Sequence, residues 1–420
     1  METKRTSMEA LQNIVGVENV RDAAPEDATC GVEPLFVVEP GSVEETSELM
    51  KLADREGLVV APRGGGTKMH LGDPPREIDL ILSTARLVEV IEYVPGDQVV
   101  RVQSGIRLAD LQERLAGSNQ MLGIDPPEEG ATIGGIVASN SSGPRRYRYG
   151  TIRDLIIGIT VVLSDGTVAK AGGKVVKNVA GYDLSKLFTG SLGTLGVIAE
   201  ANFRLHPRPE VSRTVAVAVE SSRAAQGAAQ AIVHSQVEAT AVELRWDEEQ
   251  KQVTVLLESI PAGIEAKAET AAFLLKDFGE VRELSEDEGD LPAPPEVADD
   301  EAVVKVSVPP NELASVLDSV LGAAGRRDVG ARLTGHAASG VTYATLSGGT
   351  EARAAVVEEL REIRSRRGGS VVLLKAPLEL KKMVGTWQTS GRDDLGLMRR
   401  VKEKFDPRGG LNPGRFIGGF

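Results

Sequence analysis

The stretch Pro62-Arg63-Gly64-Gly65-Gly66-Thr67-Lys68 decides the fold prediction, because three consecutive glycines follow a short apolar strand predicted at residues 58–61. Glycines let successive backbone N–H groups converge on one point, where they can cradle a pyrophosphate. Arg63, Thr67 and Lys68 would add charge or a hydroxyl group. The stretch is neither G-x-G-x-x-G nor a Walker A loop, which argues against a Rossmann site and a P-loop ATPase. Taken alone, it would be interpreted as a tight turn.

A βαβ unit leads into this glycine stretch. Leu35–Glu39 and Leu58–Ala61 are predicted as strands, and Ser42–Glu56 as the helix between them. Ser42 is a suitable N-cap, and Glu45 stands three residues later as its capping-box partner.

Three more glycine-rich segments lie in the same half of the chain, the second at residues 125–150, the third at 172–183 and the fourth at 189–198, and a turn-rich tail at residues 405–415 ends the chain. The candidate cofactor contacts in these segments are Pro127, Gly130, Ala131, Thr132, Gly134, Gly135, Ser139, Asn140, Gly143, Tyr149, Gly150, Lys177, Asn178, Gly181, Tyr182, Asp183, Gly196, Ile198, Asn412 and Arg415. A long Gly-, Ser- and Asn-rich loop inside a compact domain is typical of ligand binding. Four such loops favour a large dinucleotide that has both a diphosphate and an aromatic ring system.

The amino-acid composition argues against several classes of function. The net charge of -13 disfavours a nucleic-acid role, because a negative protein repels phosphate backbones. Cys30 is the only cysteine, so the chain supplies neither an internal disulfide nor a Cys-ligated iron–sulfur cluster. The start lacks the apolar core of a signal peptide, and no stretch is apolar enough for a membrane span. We therefore expect a cytoplasmic protein with no membrane span.

The length of 420 residues predicts two or three domains. Residues 1–29 are predicted as a leader, either loose or a short helix, and residues 30–207 as the cofactor-binding domain. Residues 208–385 alternate strands with Ala-rich helices, which predicts a second, smaller α+β domain. Residues 386–420 are predicted to pack back onto the first domain. The overall fold class is α+β.

At these residues the sequence resembles the FAD-binding domain of the vanillyl-alcohol-oxidase/para-cresol-methylhydroxylase family. The resemblance lies in PRGGGTK, in GATIGGIVASNSSGPRRYRYGTIRD from Gly130, in KNVAGYDLSKLFTGSLGTLGVI from Lys177 and in FDPRGGLNPGRF from Phe405. SSGPRR and KNVAGYDL are similar, more narrowly, to the FAD-binding (E) subunits of glycolate oxidases. The resemblance implies a two-part FAD-binding domain of the PCMH type, a cap domain that binds substrate, and a C-terminal return to the flavin domain.

The same resemblance implies oxidation of a small 2-hydroxy acid such as glycolate or lactate. His336 is the candidate base, with Tyr343 nearby in sequence, and Arg245, Arg332 and Lys375 are candidate cations for the substrate carboxylate. Thr67 stands where relatives that tether flavin often have His, so FAD is expected to be held non-covalently. Relatives carry a His-rich metal motif where this chain has one His, so no metal is expected.

Three roles remain open. The chain is expected to be a subunit that works with a second FAD subunit and an iron–sulfur subunit. It could instead be a self-sufficient lactate-type dehydrogenase, or an FAD-carrying assembly subunit with no catalytic role. A flavin-dependent reductase of a cell-wall sugar nucleotide shares the fold, but the SSGPRR and KNVAGYDL segments disfavour it.

Overall fold

The computed structural model describes residues 2–173, 183–285, 291 and 296–420, with side chains described from residue 8 onward. The helices are α1 (Glu2–Val15), α2 (Val43–Glu56), α3 (Leu108–Ala116), α4 (Ile133–Ser139), α5 (Arg146–Tyr149), α6 (Ile152–Leu155), α7 (Leu184–Phe188), α8 (Ser222–Val233), α9 (Pro261–Leu275), α10 (Leu313–Gly325), α11 (Thr350–Arg367), α12 (Leu378–Val384) and α13 (Leu395–Phe405).

The strands are β1 (Val20–Asp22), β2 (Phe36–Val38), β3 (Val60–Arg63), β4 (Leu80–Ser83), β5 (Val90–Val94), β6 (Val99–Gln103), β7 (Gln120–Met121), β8 (Ile156–Val162), β9 (Val168–Gly172), β10 (Val197–Arg204), β11 (His206–Pro207), β12 (Val211–Ala218), β13 (Ala241–Trp246), β14 (Lys251–Ser259), β15 (Val281–Glu283), β16 (Ala302–Ser307), β17 (Gly330–His336), β18 (Val341–Ser347) and β19 (Ser370–Lys375).

These elements form two compact units. The first contains Met1–Ser142, Thr151–Arg208 and Arg392–Phe420, and the second contains Gly143–Gly150 and Pro209–Gly391. The C-terminal segment therefore belongs to the first unit. The short segment Gly143–Gly150, which interrupts the first unit in sequence, belongs to the second.

The first unit is built on two larger sheets and the two-stranded sheet β11-β7 within the described residues. One has the strand order β1-β2-β4-β3, with β2, β4 and β3 parallel, and the other is antiparallel in the order β5-β6-β10-β8-β9. The predicted βαβ unit is confirmed. Ser42 caps α2 by accepting a hydrogen bond from the backbone N–H of Glu45 at 3.0 Å.

The N-terminal residues form a helix rather than a loose leader. Leu11 and Val15 of α1 are buried in the core cluster that also contains residues of α2 and β2–β4. Burial of these two side chains secures the helix, because tertiary packing supplies most helix stability in proteins.

The second unit is an antiparallel sheet in the order β15-β12-β14-β13-β17-β18-β16-β19. Side chains alternate between its two faces. The apolar side chains, such as Leu244, Trp246 and Leu333, form a core with α8, α9, α10 and α11. Side chains at the intervening positions, including Glu243 and His336, point to the opposite face. We call this opposite side the polar face.

Candidate functional site

The first, second and fourth glycine-rich segments line one open cleft in the first unit. The strand β3 ends at Arg63, directly before the triple glycine, and so positions the three glycines at the cleft. The residues lining the cleft are Pro62, Arg63, Gly64, Gly65, Gly66, Thr67, Lys68, Met69, Thr84, Ser104, Glu128, Ala131, Thr132, Gly134, Gly135, Ile136, Ala138, Ser139, Ser141, Leu192, Gly193, Gly196, Val197, Ile198 and Arg415.

The triple glycine is packed directly against the second glycine-rich segment. A Cβ placed on Gly64 would overlap the hydroxyl oxygen of Thr132, and one placed on Gly65 would overlap the carbonyl oxygen of Gly130. The backbone N–H of Gly65 donates to Oγ1 of Thr132 at 3.3 Å. Gly66, with φ of 75°, occupies the left-handed region. Close packing therefore requires glycine at positions 64 and 65, and the left-handed backbone favours glycine at position 66.

The second segment is not the irregular loop that its composition predicts. Residues Ile133–Ser139 form the helix α4, capped by Thr132, whose hydroxyl accepts from the backbone N–H of Gly135 at 3.4 Å. Ile133, Ile136 and Val137 are buried at the i, i+3, i+4 spacing of one helix face. This helical period stabilises a helix in spite of two glycines.

Both cations of the triple-glycine stretch are already paired. Arg63 Nη1 donates to Oδ1 of Asp27 at 2.7 Å, and Lys68 Nζ lies 3.0 Å from Oε1 of Glu128. Lys68 also donates to the hydroxyl of Ser141 at 2.8 Å. The charge that Arg63 brings to the cleft is therefore already balanced by a buried carboxylate.

Asp27 couples the N-terminal segment to this stretch. Arg21 donates to both carboxylate oxygens, at 2.6 and 2.8 Å, in addition to the bond from Arg63. The side-chain hydrogen bonds from Arg21 hold the pKa of Asp27 well below its usual range, against the opposing effect of burial. A carboxylate that is ionised in the folded state contributes stability above its unfolded pKa, and this contribution is lost as the pH falls.

We expect Asp27→Asn to lower the free energy of unfolding by about 2–3 kcal/mol at pH 7, because it leaves Arg63 without its buried counter-charge. The difference should shrink as the pH falls below about 4, where Asp27 of the unfolded chain is protonated. Denaturant unfolding at pH 7 and pH 3 measures it. Glu26→Gln, an exposed carboxylate in the same turn, is the control. An Asp27→Asn effect that is equal at both pH values would contradict this account.

The C-terminal residues complete one side of the cleft. Arg415 donates to the backbone carbonyl of Met69 at 2.8 Å and to that of Leu71. Asn412 donates to the carbonyl of Leu192 at 2.8 Å. In turn, the N–H of Leu192 donates to the carbonyl of Ala138 at the end of α4, at 2.9 Å. The tail, the fourth glycine segment and α4 are therefore connected by hydrogen bonds.

The cleft has the chemistry that a dinucleotide needs. Thr84 and Ser104 line it, and their buried hydroxyl oxygens have no hydrogen-bond partner among the described residues. Such oxygens usually have a partner, so these two suit a polar ligand. The glycine backbone leaves room for close approach by a phosphate or a flat ring.

Comparisons with known proteins agree with this chemistry at both ends of the chain. Residues 34–172 match the model described as FAD binding domain, and residues 380–416 match the model described as FAD linked oxidases, C-terminal domain. The chain is an FAD-linked oxidoreductase. The FAD prediction is confirmed at the level of the family.

Curated relatives cover different parts of this FAD-linked oxidoreductase. Glycolate oxidase subunit GlcD of Bacillus subtilis is 27% identical over 430 residues, which is 91% of this chain and 89% of the relative. D-lactate dehydrogenase of Archaeoglobus fulgidus is 36% identical over 187 residues, 44% of this chain and 42% of the relative.

Solved structures show the fold of the FAD-linked oxidoreductase. Substrate-bound p-cresol methylhydroxylase has a TM-score of 0.78 at 15% identity, covering 99% of this chain and 97% of that one. Alkyldihydroxyacetonephosphate synthase has a TM-score of 0.74 at 19% identity, covering 97% and 84%. The predicted α+β fold of the PCMH type is confirmed. Because one neighbour is named as a synthase, the fold alone does not identify the reaction.

The predicted cofactor contacts fall into three groups. Those that line the cleft are Pro62, Arg63, Gly64, Gly65, Gly66, Thr67, Lys68, Ala131, Thr132, Gly134, Gly135, Ser139, Gly196, Ile198 and Arg415. Those that the structure places elsewhere are Pro127, Gly130, Asn140, Gly143, Tyr149, Gly150, Asp183 and Asn412. Those outside the described residues are Lys177, Asn178, Gly181 and Tyr182.

Sequence reasoning missed several lining residues. Thr84 and Ser104 come directly after β4 and β6. A polar residue at the end of each predicted strand is the sequence feature that could have identified them as lining residues. Glu128 and Ser141 give no such signal, since their partner Lys68 is 60 or more positions away. Gly193 and Leu192 belong to the fourth glycine segment, where the sequence predicts only Gly196 and Ile198 as cofactor contacts.

The second unit brings His336 and Tyr343 together and adds Glu243. The register of β13 and β17 pairs Glu243 with His336, and Nδ1 of His336 lies 2.9 Å from both carboxylate oxygens. The Tyr343 hydroxyl lies 3.5 Å from Nε2 of His336. Only 7% of the His336 side chain is exposed. Burial raises the pKa of Glu243, while the charges of His336 and Arg146 oppose that rise.

This arrangement selects one form of the imidazole. An ionised Glu243 only accepts hydrogen bonds, so in that state Nδ1 carries the proton and donates a hydrogen bond to Glu243. Nε2 then keeps its lone pair in the neutral ring. The trio lies on the polar face.

The three predicted cations all hold ion pairs within the second unit. Arg245 Nε lies 2.6 Å from Asp247, Arg332 Nη2 lies 2.9 Å from Glu301, and Lys375 Nζ lies 3.3 Å from Asp299. None of these three cations lies near Tyr343 in the strand register with its charge unpaired. Their predicted role as carboxylate ligands is weakened, because a substrate would have to compete with an internal carboxylate.

Two features are absent from the described residues, from 2 to 420 with the gaps given above. No group of three or more His, Cys, Asp or Glu side chains is arranged to hold a metal ion there. No helix of that part of the chain is long and apolar enough to cross a membrane.

Proposed function

We propose that FAD occupies the cleft of the first unit without a covalent tether and that the chain oxidises a small 2-hydroxy acid to the 2-oxo acid. The first unit would then be the FAD-binding domain and the second unit the cap domain for the substrate. The observation that carries the substrate assignment is the buried Glu243–His336 pair, whose neutral ring has its acceptor nitrogen, Nε2, on the side of Tyr343. The names of the relatives, a glycolate oxidase subunit and a D-lactate dehydrogenase, support the same substrate class.

The chemistry needs a proton acceptor and a hydride acceptor. Bound FAD, held by the glycine backbone and by the hydroxyl groups of Thr84 and Ser104, would supply the hydride acceptor for the carbon that bears the hydroxyl group. Nε2 of His336 takes the hydroxyl proton, and the C–O single bond becomes the carbonyl of the 2-oxo acid. Glu243 holds the ring in the tautomer that accepts at Nε2 and balances the positive charge that forms.

We further propose that the chain is a subunit of the glycolate-oxidase E type, as the SSGPRR segment suggests, and works in the cytoplasm. The electrons must leave after each turnover, and a chain whose only cysteine is Cys30 has no Cys-ligated cluster of its own. A second FAD subunit and an iron–sulfur subunit would receive them. A self-sufficient lactate-type dehydrogenase and an assembly subunit with no catalytic role are the alternatives.

Turnover by the isolated chain distinguishes these roles. We expect FAD-loaded chain alone to oxidise glycolate or lactate slowly with a soluble dye, and material co-purified from the native host to be at least about 10-fold faster per flavin. Mass spectrometry of the co-purified material identifies the partners. Rapid turnover by the isolated chain, with no partner retained, would establish the self-sufficient dehydrogenase instead.

A further inference from the structure

The segment Gly143–Gly150 of the second unit carries three arginines, of which two are anchored to one residue, Glu258. Arg145 Nη2 lies 2.6 Å from Oε1 of Glu258, and Arg148 donates to the backbone carbonyl of the same residue at 3.1 Å. The Tyr149 hydroxyl lies 3.4 Å from Oε2 of Glu258. Glu258 is only 2% exposed. These bonds fix the short helix α5 on the polar face.

Arg146 is different from its two neighbours. It is half-buried, and its guanidinium has no hydrogen bond or ion pair to any residue that the structure describes. Its helix α5 packs on β13, the strand that carries Glu243. The positive charge of Arg146 helps to offset the rise that burial causes in the pKa of Glu243, so the two groups interact electrostatically.

A half-buried guanidinium that makes no close ion pair is unfavourable, because burial removes part of its hydration and the carboxylate of Glu243 interacts with it without a direct hydrogen bond. Arg245, on the same face, is paired with Asp247, and Arg332 with Glu301. An incoming carboxylate would have to displace those acids, whereas at Arg146 it would supply the close ion pair that this guanidinium lacks. A guanidinium can also hold a carboxylate through two parallel N–H donors.

We propose that Arg146 binds the carboxylate of the 2-hydroxy acid, beside the Glu243–His336 pair. This proposal rests on the proposed function and identifies the recognition element for it. Arg146 sets the preference for a substrate with a carboxylate next to the hydroxyl-bearing carbon. His336 acts on the hydroxyl group of the same molecule.

The test uses the FAD-loaded full-length chain and the variants Arg146→Met, Arg146→Lys and Arg245→Met. The rate of flavin reduction at increasing lactate concentrations gives the half-saturating concentration of lactate. Titration with oxalate, a dicarboxylate that does not reduce the flavin, gives the dissociation constant of oxalate from the change in the flavin spectrum. We expect Arg146→Met to raise both values roughly 100-fold, which is the size of effect for truncating one partner of a charge pair. Arg146→Lys should recover part of the loss, and Arg245→Met should stay near wild type.

The outcomes separate this proposal from the proposed function. Wild-type values in Arg146→Met, or a loss confined to Arg245→Met, overturn the role of Arg146 and leave the hydroxy-acid assignment intact. A wild-type chain that responds to neither lactate nor oxalate overturns both. Equal thermal unfolding of the wild type and Arg146→Met shows that any loss of affinity is not a folding defect.

Discussion

Replacing His336 with Asn is expected to slow flavin reduction by a 2-hydroxy acid about 10²- to 10⁴-fold, the usual contribution of a positioned general base. Asn keeps a polar group near Glu243 but removes the basic Nε2. The FAD content should not change, because His336 is not among the residues that line the cleft. Anaerobic rapid mixing with substrate measures the rate constant for reduction.

Two variants make this result specific to the proton acceptor. His234→Asn changes an exposed histidine at the end of α8 and should reduce at the wild-type rate. Glu243→Gln should slow reduction less than His336→Asn and alter the pH–rate profile, because the amide no longer selects the tautomer. A His336→Asn variant within about threefold of the wild type would show that the histidine is only structural.

Replacing Gly65 with Ala is expected to weaken FAD binding by about 10- to 100-fold. The new Cβ would overlap the carbonyl oxygen of Gly130, so the triple-glycine stretch and the second segment must separate. Forced overpacking of this kind costs about 1–3 kcal/mol. The effect comes from contact between two parts of the chain and not from a left-handed backbone, because Gly65 does not have a positive φ.

Flavin released by acid from the purified proteins, together with titration of the apoprotein with FAD, measures this change. Gly96→Ala is the matched control, since a Cβ at Gly96 meets no atom within 4 Å. Gly96→Ala should bind FAD like the wild type. Unchanged affinity in a folded Gly65→Ala variant would mean that the cleft does not hold the pyrophosphate.

The glycine loops could be predicted from sequence because their requirement is local. A run of glycines directly after a strand limits the backbone whatever the rest of the chain does. The helix α4 shows the limit of composition as a guide. Its glycines predict a loop, yet the buried spacing of Ile133, Ile136 and Val137 produces a helix.

The charge pairs could not be predicted, because they depend on how distant segments are brought together. Glu243 and His336 are 93 positions apart and meet only through the register of β13 with β17. Arg145 and Glu258 are 113 positions apart. For the same reason Arg332 is a reasonable carboxylate ligand from sequence, until its pair with Glu301 is known.

The central claim is that FAD bound by this chain is reduced by a 2-hydroxy acid. The most direct measurement is anaerobic mixing of the FAD-loaded wild-type chain with D-lactate, L-lactate and glycolate while the absorbance of oxidised flavin is followed. We predict that at least one of these acids removes this absorbance at a rate that saturates with concentration, and that the 2-oxo acid forms in an amount equal to the flavin. A fully loaded chain that stays oxidised with all three acids, both alone and with its co-purified partners, would contradict the claim.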